Sequence, residues 1–195
     1  STSGVLTLAP SDANAWSGFS WATTATVPSP DFTLTNVGGT GAGLKINNLA
    51  GIAGLNLGQF TDASGTTVRS AAALTIANAL EVAGPIQIYA GNVSVNADLS
   101  STLGTAGITL TTPGQLTLAA DKRIQTAGGD IALSAASLLL SDKSMLRTNN
   151  LLAAAGRIAL EADDITLASG SRIEAQGATG GGVVLIGGDW QGSGT

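Results

Sequence analysis

Between Ile86 and Ile186 the chain repeats one phrase: an apolar-x-apolar triplet, a polar or small spacer, a second triplet, and a third apolar anchor eight residues after the second triplet begins. The first triplets are Ile86-Gln87-Ile88, Ile108-Thr109-Leu110, Ile131-Ala132-Leu133, Ile158-Ala159-Leu160 and Val184-Leu185-Ile186, stepping by 22, 23, 27 and 26 positions. The second triplets, Val93-Ser94-Val95, Leu116-Thr117-Leu118, Leu138-Leu139-Leu140 and Ile165-Thr166-Leu167, step by 23, 22 and 27. The third anchors Ile124, Leu146 and Ile173 step by 22 and 27. Three columns therefore share one period.

A triplet with apolar ends and a tolerant middle is period-2 alternation, which sends its two ends to one face of a strand and its middle to the other. Three short strands in each repeat of 22–27 residues describe one coil of a solenoid whose equivalent strands stack in parallel on the next coil. Gly84-Pro85, Gly91-Asn92, Pro113-Gly114 and Gly128-Gly129 fall between the triplets. Corners there need the positive φ of glycine or the preset φ of proline. The fold class expected is all-β, a parallel β-helix or β-solenoid with three short strands per coil. Roughly eight coils, spaced by about 4.8 Å, would make a rod of about 40 Å.

The register is poorer towards the N-terminus. Leu44-Lys45-Ile46, Leu55-Asn56-Leu57, Val68, Leu74-Thr75-Ile76 and Leu80-Glu81-Val82 carry the phrase at irregular spacing, and regular coils begin at about residue 85. In residues 1–40, Leu6-Thr7-Leu8 reads as a triplet, but Trp16, Phe19 and Trp21 then cluster ahead of Pro28-Ser29-Pro30 and Phe32. The expectation is an enlarged aromatic corner loop. Its rings either cover the side of the solenoid or form an exposed platform for sugar rings or a protein, so Trp16, Phe19 and Trp21 are the candidate binding residues. No composition shift divides the chain, and residues 1–195 are taken as one β-helical segment of a longer protein.

Composition narrows the function. Charged residues make up 11% and aromatics 4%, with 27 glycines. That balance suits neither a disordered tail nor an ordinary α/β enzyme. Cysteine and histidine are both absent, which removes disulfides, Cys or His metal sites, and thiol or imidazole catalysts. A net charge of −5 without a basic stripe argues against a nucleic-acid partner. No apolar run reaches the roughly 20 residues needed to span a bilayer as a helix.

The stretches Leu80-Glu81-Val82-Ala83-Gly84-Pro85-Ile86-Gln87-Ile88-Tyr89-Ala90-Gly91-Asn92-Val93 and Gly181-Gly182-Val183-Val184-Leu185-Ile186-Gly187-Gly188-Asp189-Trp190-Gln191-Gly192 resemble the repeat regions of large filamentous-haemagglutinin-like bacterial exoproteins. The resemblance covers about residues 65–195 and rests on low-complexity phrases that describe architecture more than activity. It implies a secreted or surface-anchored adhesin, exported by two-partner secretion through an outer-membrane transporter, that meets a host or neighbouring-cell surface or glycan. The family's N-terminal secretion domain is not recognisable in this chain.

Other chemistry finds less support. Asp98, Asp121, Asp142, Asp163, Asp164 and Glu174 lie near corners, with Arg123, Lys143, Arg147 and Arg172 close by. Asp121 and Asp142 occupy matching places, and a surface ladder of opposite charges between coils is expected. A β-helical carbohydrate-active enzyme would instead need two carboxylates at catalytic separation or a cation site. Gly128-Gly129-Asp130 and Gly187-Gly188-Asp189 lack the tandem nonapeptide of calcium-binding repeats, so no metal or other cofactor is expected. The outward Thr109, Thr117 and Thr166 form no continuous array, because Ala132, Ala159 and Leu139 interrupt their columns, which argues against ice binding. The outward Leu139 is an exposed apolar candidate for contact with a neighbouring loop or another fibre. The reading is a non-catalytic stalk or display segment of an adhesin. The alternatives are a self-associating subunit of an extracellular filament or surface layer, and the β-helical enzyme.

Overall fold

The computed structural model describes backbone at residues 4–12, 15–22, 32–35, 42–46, 52–57, 59–61, 67–69, 73–77 and 79–187, with side chains at Leu55, Leu57 and from residue 73 onward except residue 78. It is an all-β solenoid of about five coils of three strands, with no helix among the described residues. The first face stacks Gly4–Asp12, Ile52–Leu57, Ile86–Tyr89, Ile108–Thr111, Ile131–Ser134, Ile158–Glu161 and Val184–Ile186 in parallel. The second stacks Ala42–Ile46, Ala73–Ile76, Asn92–Val95, Gln115–Leu118, Ser137–Leu140 and Asp164–Leu167. Leu80–Val82, Leu99–Ser101, Arg123–Thr126, Met145–Asn150 and Arg172–Gly177 form the third.

Register follows the triplets residue for residue. Ile86 stands over Ile108, Ile131, Ile158 and Val184 in turn, and Val93 over Leu116, Leu138 and Ile165. The inward rungs Ile108, Leu110, Leu116, Leu118, Ile124 and Ile131 are all fully buried. Burial of one such side chain contributes about 1.5–3 kcal/mol, and each rung obtains it only against the coils on either side.

The N-terminal end departs from the expected winding. Ala15–Ala22, which holds Trp16, Phe19 and Trp21, is a strand rather than a corner loop and pairs antiparallel with Gly4–Asp12 at the edge of the first face. Aromatic residues favour the extended backbone, so the segment adds a strand instead of bulging out. Phe32–Thr35 likewise pairs antiparallel at the edge of the second face. Val68 is not a rung of a coil: its strand Thr67–Arg69 forms an antiparallel hairpin with Gln59–Thr61. Among the described residues there are about five complete coils where roughly eight were expected, because these segments form edges and a hairpin instead.

Corners repeat as faithfully as strands. Asp121 and Lys143 both have positive φ, 58° and 55°, and Gly170 follows at 71°, each three residues beyond its second-face strand. Lys143, not Asp142, is thus the counterpart of Asp121. Two residues before the first-face anchors lies another column, Ala106, Gly129, Gly156 and Gly182. A Cβ on Gly129 would sit 2.1 Å from the Ala106 carbonyl oxygen, and one on Gly156 would sit 2.6 Å from Gly129. Backbone lies against backbone there.

Four substitutions test the packing by urea or thermal unfolding. Ile131→Ala should cost about 2–5 kcal/mol, whereas Ser144→Ala should cost nothing, because the fully buried Ser144 Oγ has no hydrogen-bond partner. Equal losses at both positions would contradict the assigned core. Gly156→Ala should lose about 1–3 kcal/mol by overpacking, while Gly104→Ala, whose Cβ would meet nothing within 4 Å, should leave stability unchanged.

Candidate functional site

From Ile86 onward the coils vary chiefly at one corner. There the spacing from first anchor to second is 7 or 8 positions and from second to third 6 or 8, whereas the coil before takes 19 positions from Leu55 to Leu74, through the hairpin of Gln59–Thr61 and Thr67–Arg69. From the third anchor to the next first anchor it is 6, 9, 7, 12 and 11 in successive coils, beginning with Leu80 to Ile86. The short step from Ile124 to Ile131 is flanked by the longer ones containing Leu103 on one side and Leu151 and Leu152 on the other. A short corner between two long ones leaves a gap, and the structure has a notch of about 440 Å³ there.

Its base is made by strand ends. Ser101, Thr126 and Thr148 are consecutive rungs of the third face and all are buried. Each buried hydroxyl meets corner backbone. Ser101 Oγ donates to the Gly84 carbonyl at 2.8 Å, Thr126 Oγ1 to the Gly129 carbonyl at 2.5 Å, and Thr148 Oγ1 accepts the Gly156 N–H at 3.2 Å. Ser101, Thr126 and the small Ala127 line the notch.

One wall is a hydrogen-bonded loop. Asn150 Oδ1 accepts the N–H groups of both Leu152 and Ala153, at 3.0 and 2.9 Å, so the side chain folds the backbone after it. Asn150 itself rests on Gly128, whose φ of 118° requires glycine and where a Cβ would be 2.9 Å from the Asn150 Cβ. The loop holds Leu151 and Leu152 outward, 78% and 89% exposed, at the rim. Thr102 and Gly104 make the opposite wall.

Along the outer surface of the third face runs the polar column Glu81, Ser100, Gln125, Arg147 and Glu174. Gln125 Nε2 donates to Ser100 Oγ at 3.0 Å. Arg147 Nε lies 3.9 Å from Glu174 Oε2, too far for a hydrogen bond, and is itself covered without a partner. Arg147 is the single charged residue lining the notch.

The expected ladder of charges is built from other pairs. Among the described residues Arg123 bonds Asp98 at 2.9 Å and Arg147 faces Glu174, while Asp121 and Asp142 meet through backbone, Asp121 N–H donating to the Asp142 carbonyl. Asp98 and Asp130 have a second use: each accepts a backbone N–H of the next coil, from Arg123 at 3.1 Å and Arg157 at 2.7 Å. Asp163 and Asp164 are exposed at a corner, and among the described residues no three acidic side chains gather as a metal site would require. Thr109, Thr117 and Thr166 occupy the columns expected of them, broken by Ala132, Ala159 and Leu139. Leu139 is half-buried rather than fully outward. The side chains of Trp16, Phe19 and Trp21 lie outside the described residues, as do Gly188, Asp189 and Trp190.

The 27-position step from Ile131 to Ile158 was the signal in the sequence for the long corner, but locating the notch required the third-face anchor Leu99 as well. No family model, curated protein or solved structure matches the chain.

Asn150→Ala should free the loop while leaving the coils intact. Hydrogen exchange read by mass spectrometry should rise at residues 151–155, with global stability lowered by no more than about 1–2 kcal/mol. Unchanged exchange there would show that the Asn150 side chain does not hold the loop.

Proposed function

We propose that this chain is a non-catalytic stalk or display segment of a large secreted or surface-anchored bacterial adhesin, with the solenoid supplying a rigid rod and its variable corner supplying contact. The observation that carries the reading is that, from Ile86 onward, most of the length variation and the most exposed leucines fall at one edge of the spool. Loops on a rigid scaffold carry recognition because they change without disturbing the core. The resemblance of the repeat phrases to filamentous-haemagglutinin-like exoproteins supports the same role and suggests export through an outer-membrane transporter, with a host or neighbouring-cell surface or glycan as partner.

The alternative against which it is tested is a self-associating subunit of an extracellular filament or surface layer.

Sedimentation and cell binding separate the two. The stalk reading expects an elongated monomer that adheres to cells, with adhesion reduced about tenfold or more when residues 149–157 are replaced by the shorter corner 127–130 and melting unchanged. Concentration-dependent fibres would favour the filament, and adhesion insensitive to the exchange would remove the corner from the contact surface.

A further inference from the structure

We propose that the notch binds a ligand with a single carboxylate and an apolar body, the carboxylate on Arg147 and the body between Ala127 and the Leu151-Leu152 rim. The proposal gives a ligand class to the variable corner and so rests on the reading of that corner as a contact surface.

Charge selects the head group. Arg147 is the only cation lining the notch, and its guanidinium has Nε without a partner and a carboxylate, Glu174, held at 3.9 Å. A guanidinium so loosely engaged retains terminal N–H donors for a bidentate carboxylate. A polyanion is disfavoured, because Glu174 stands beside the single positive charge and the chain carries a net charge of −5. One negative charge matches the site.

Shape and polarity select the body. At about 440 Å³ the notch falls within the roughly 300–1,000 Å³ of small-ligand clefts. Two leucines at 78% and 89% exposure are an unusual thing to hold in water, and the two hydrogen bonds to Asn150 keep them there. A branched or linear aliphatic group would cover both. Sugar rings usually bind against aromatic faces, and the lining of the notch has none.

Two sources supply this chemistry: the C-terminus of a peptide ending in an apolar residue, and a free aliphatic acid. Gln125 and Asn149 line the notch and offer amides that could pair with a peptide group but would find no partner on an alkyl chain.

Titration followed by amide NMR shifts should use N-acetyl-leucine, the tripeptide acetyl-Gly-Gly-Leu, octanoate, and N-acetyl-leucine amide as the uncharged control. Saturable shifts at residues 125–127 and 147–153 are expected with at least one carboxylate, about tenfold weaker with the amide or with Arg147→Gln. Leu152→Ser should weaken binding as well. Gly104→Phe should block the notch without strain, since a Cβ there meets nothing within 4 Å and its φ is not positive. Tighter binding of the acylated amino acid or tripeptide identifies a peptide terminus, tighter binding of octanoate a free acid, and either supports the site. No saturable binding of any carboxylate, or binding indifferent to Arg147→Gln and Gly104→Phe in variants that melt normally, overturns the proposal. That failure would leave the elongated monomer and the corner-exchange result untouched, so the stalk reading falls or stands separately.

Discussion

Hydrogen bonding between equivalent strands of successive coils is the constraint from which the rest of this structure follows. Each strand donates and accepts along the solenoid axis, so a coil can be satisfied only if its neighbour presents a strand at the same height and in the same register. In-register stacking puts like side chain over like, and a small change of strand length on one coil would leave buried backbone groups unpaired on the next. First- and second-face strands are accordingly four residues long from Asn92 to Leu167, while the corner after the third face ranges from 6 to 12 positions between anchors. The ladder fixes the faces and leaves the corners free to differ.

The same constraint explains how polar residues enter the wall. Asn92, Asp98 and Asp130 each accept a main-chain N–H from the coil above, at Gln115, Arg123 and Arg157. Ser101, Thr126 and Thr148 do the equivalent work from inside, where corner carbonyls and amides would otherwise lack partners. The exposed Arg123–Asp98 pair is worth at most about 1 kcal/mol as an ion pair. The hydrogen bond from Arg123 N–H to the same carboxylate carries structural consequence because it joins two coils.

These physical differences decide what was legible. The columns headed by Ile86 and Val93 could be read directly, since period-2 alternation is local and repetition multiplies it. Asp121 and Asp142 were misaligned because equivalence in a corner is set by backbone dihedral angle, and Asp121 shares its left-handed φ with Lys143. The aromatic segment resembles a loop in sequence because its pairing is antiparallel and appears once, which leaves no period to detect. Ser101, Thr126 and Thr148 look like ordinary polar corner residues in sequence, and only the stacking shows them to be one buried column. The notch escaped for a further reason: it is a difference between the lengths of three successive corners, so no single residue or motif announces it.

A recess formed by unequal corners has an energetic advantage over a site built on a face. Changing an outward residue of the third face alters a column that runs through every coil, as Gln125 shows by bonding Ser100 of the coil before and lying beside Arg147 of the coil after. Lengthening a corner leaves the strands on either side in register and is felt only by the adjoining corners, as Asn150 meets Gly128 and Ala155 N–H donates to the Gly180 carbonyl. The price of exposing Leu151 and Leu152 is therefore local. Asn150 folds that loop before any partner arrives, so binding need not supply the roughly 0.5–1.5 kcal/mol for each side chain that would otherwise be immobilised. Rigidity made by the ladder and variety kept to the corners together let a chain poor in charge and aromatics offer a shaped surface without weakening its core.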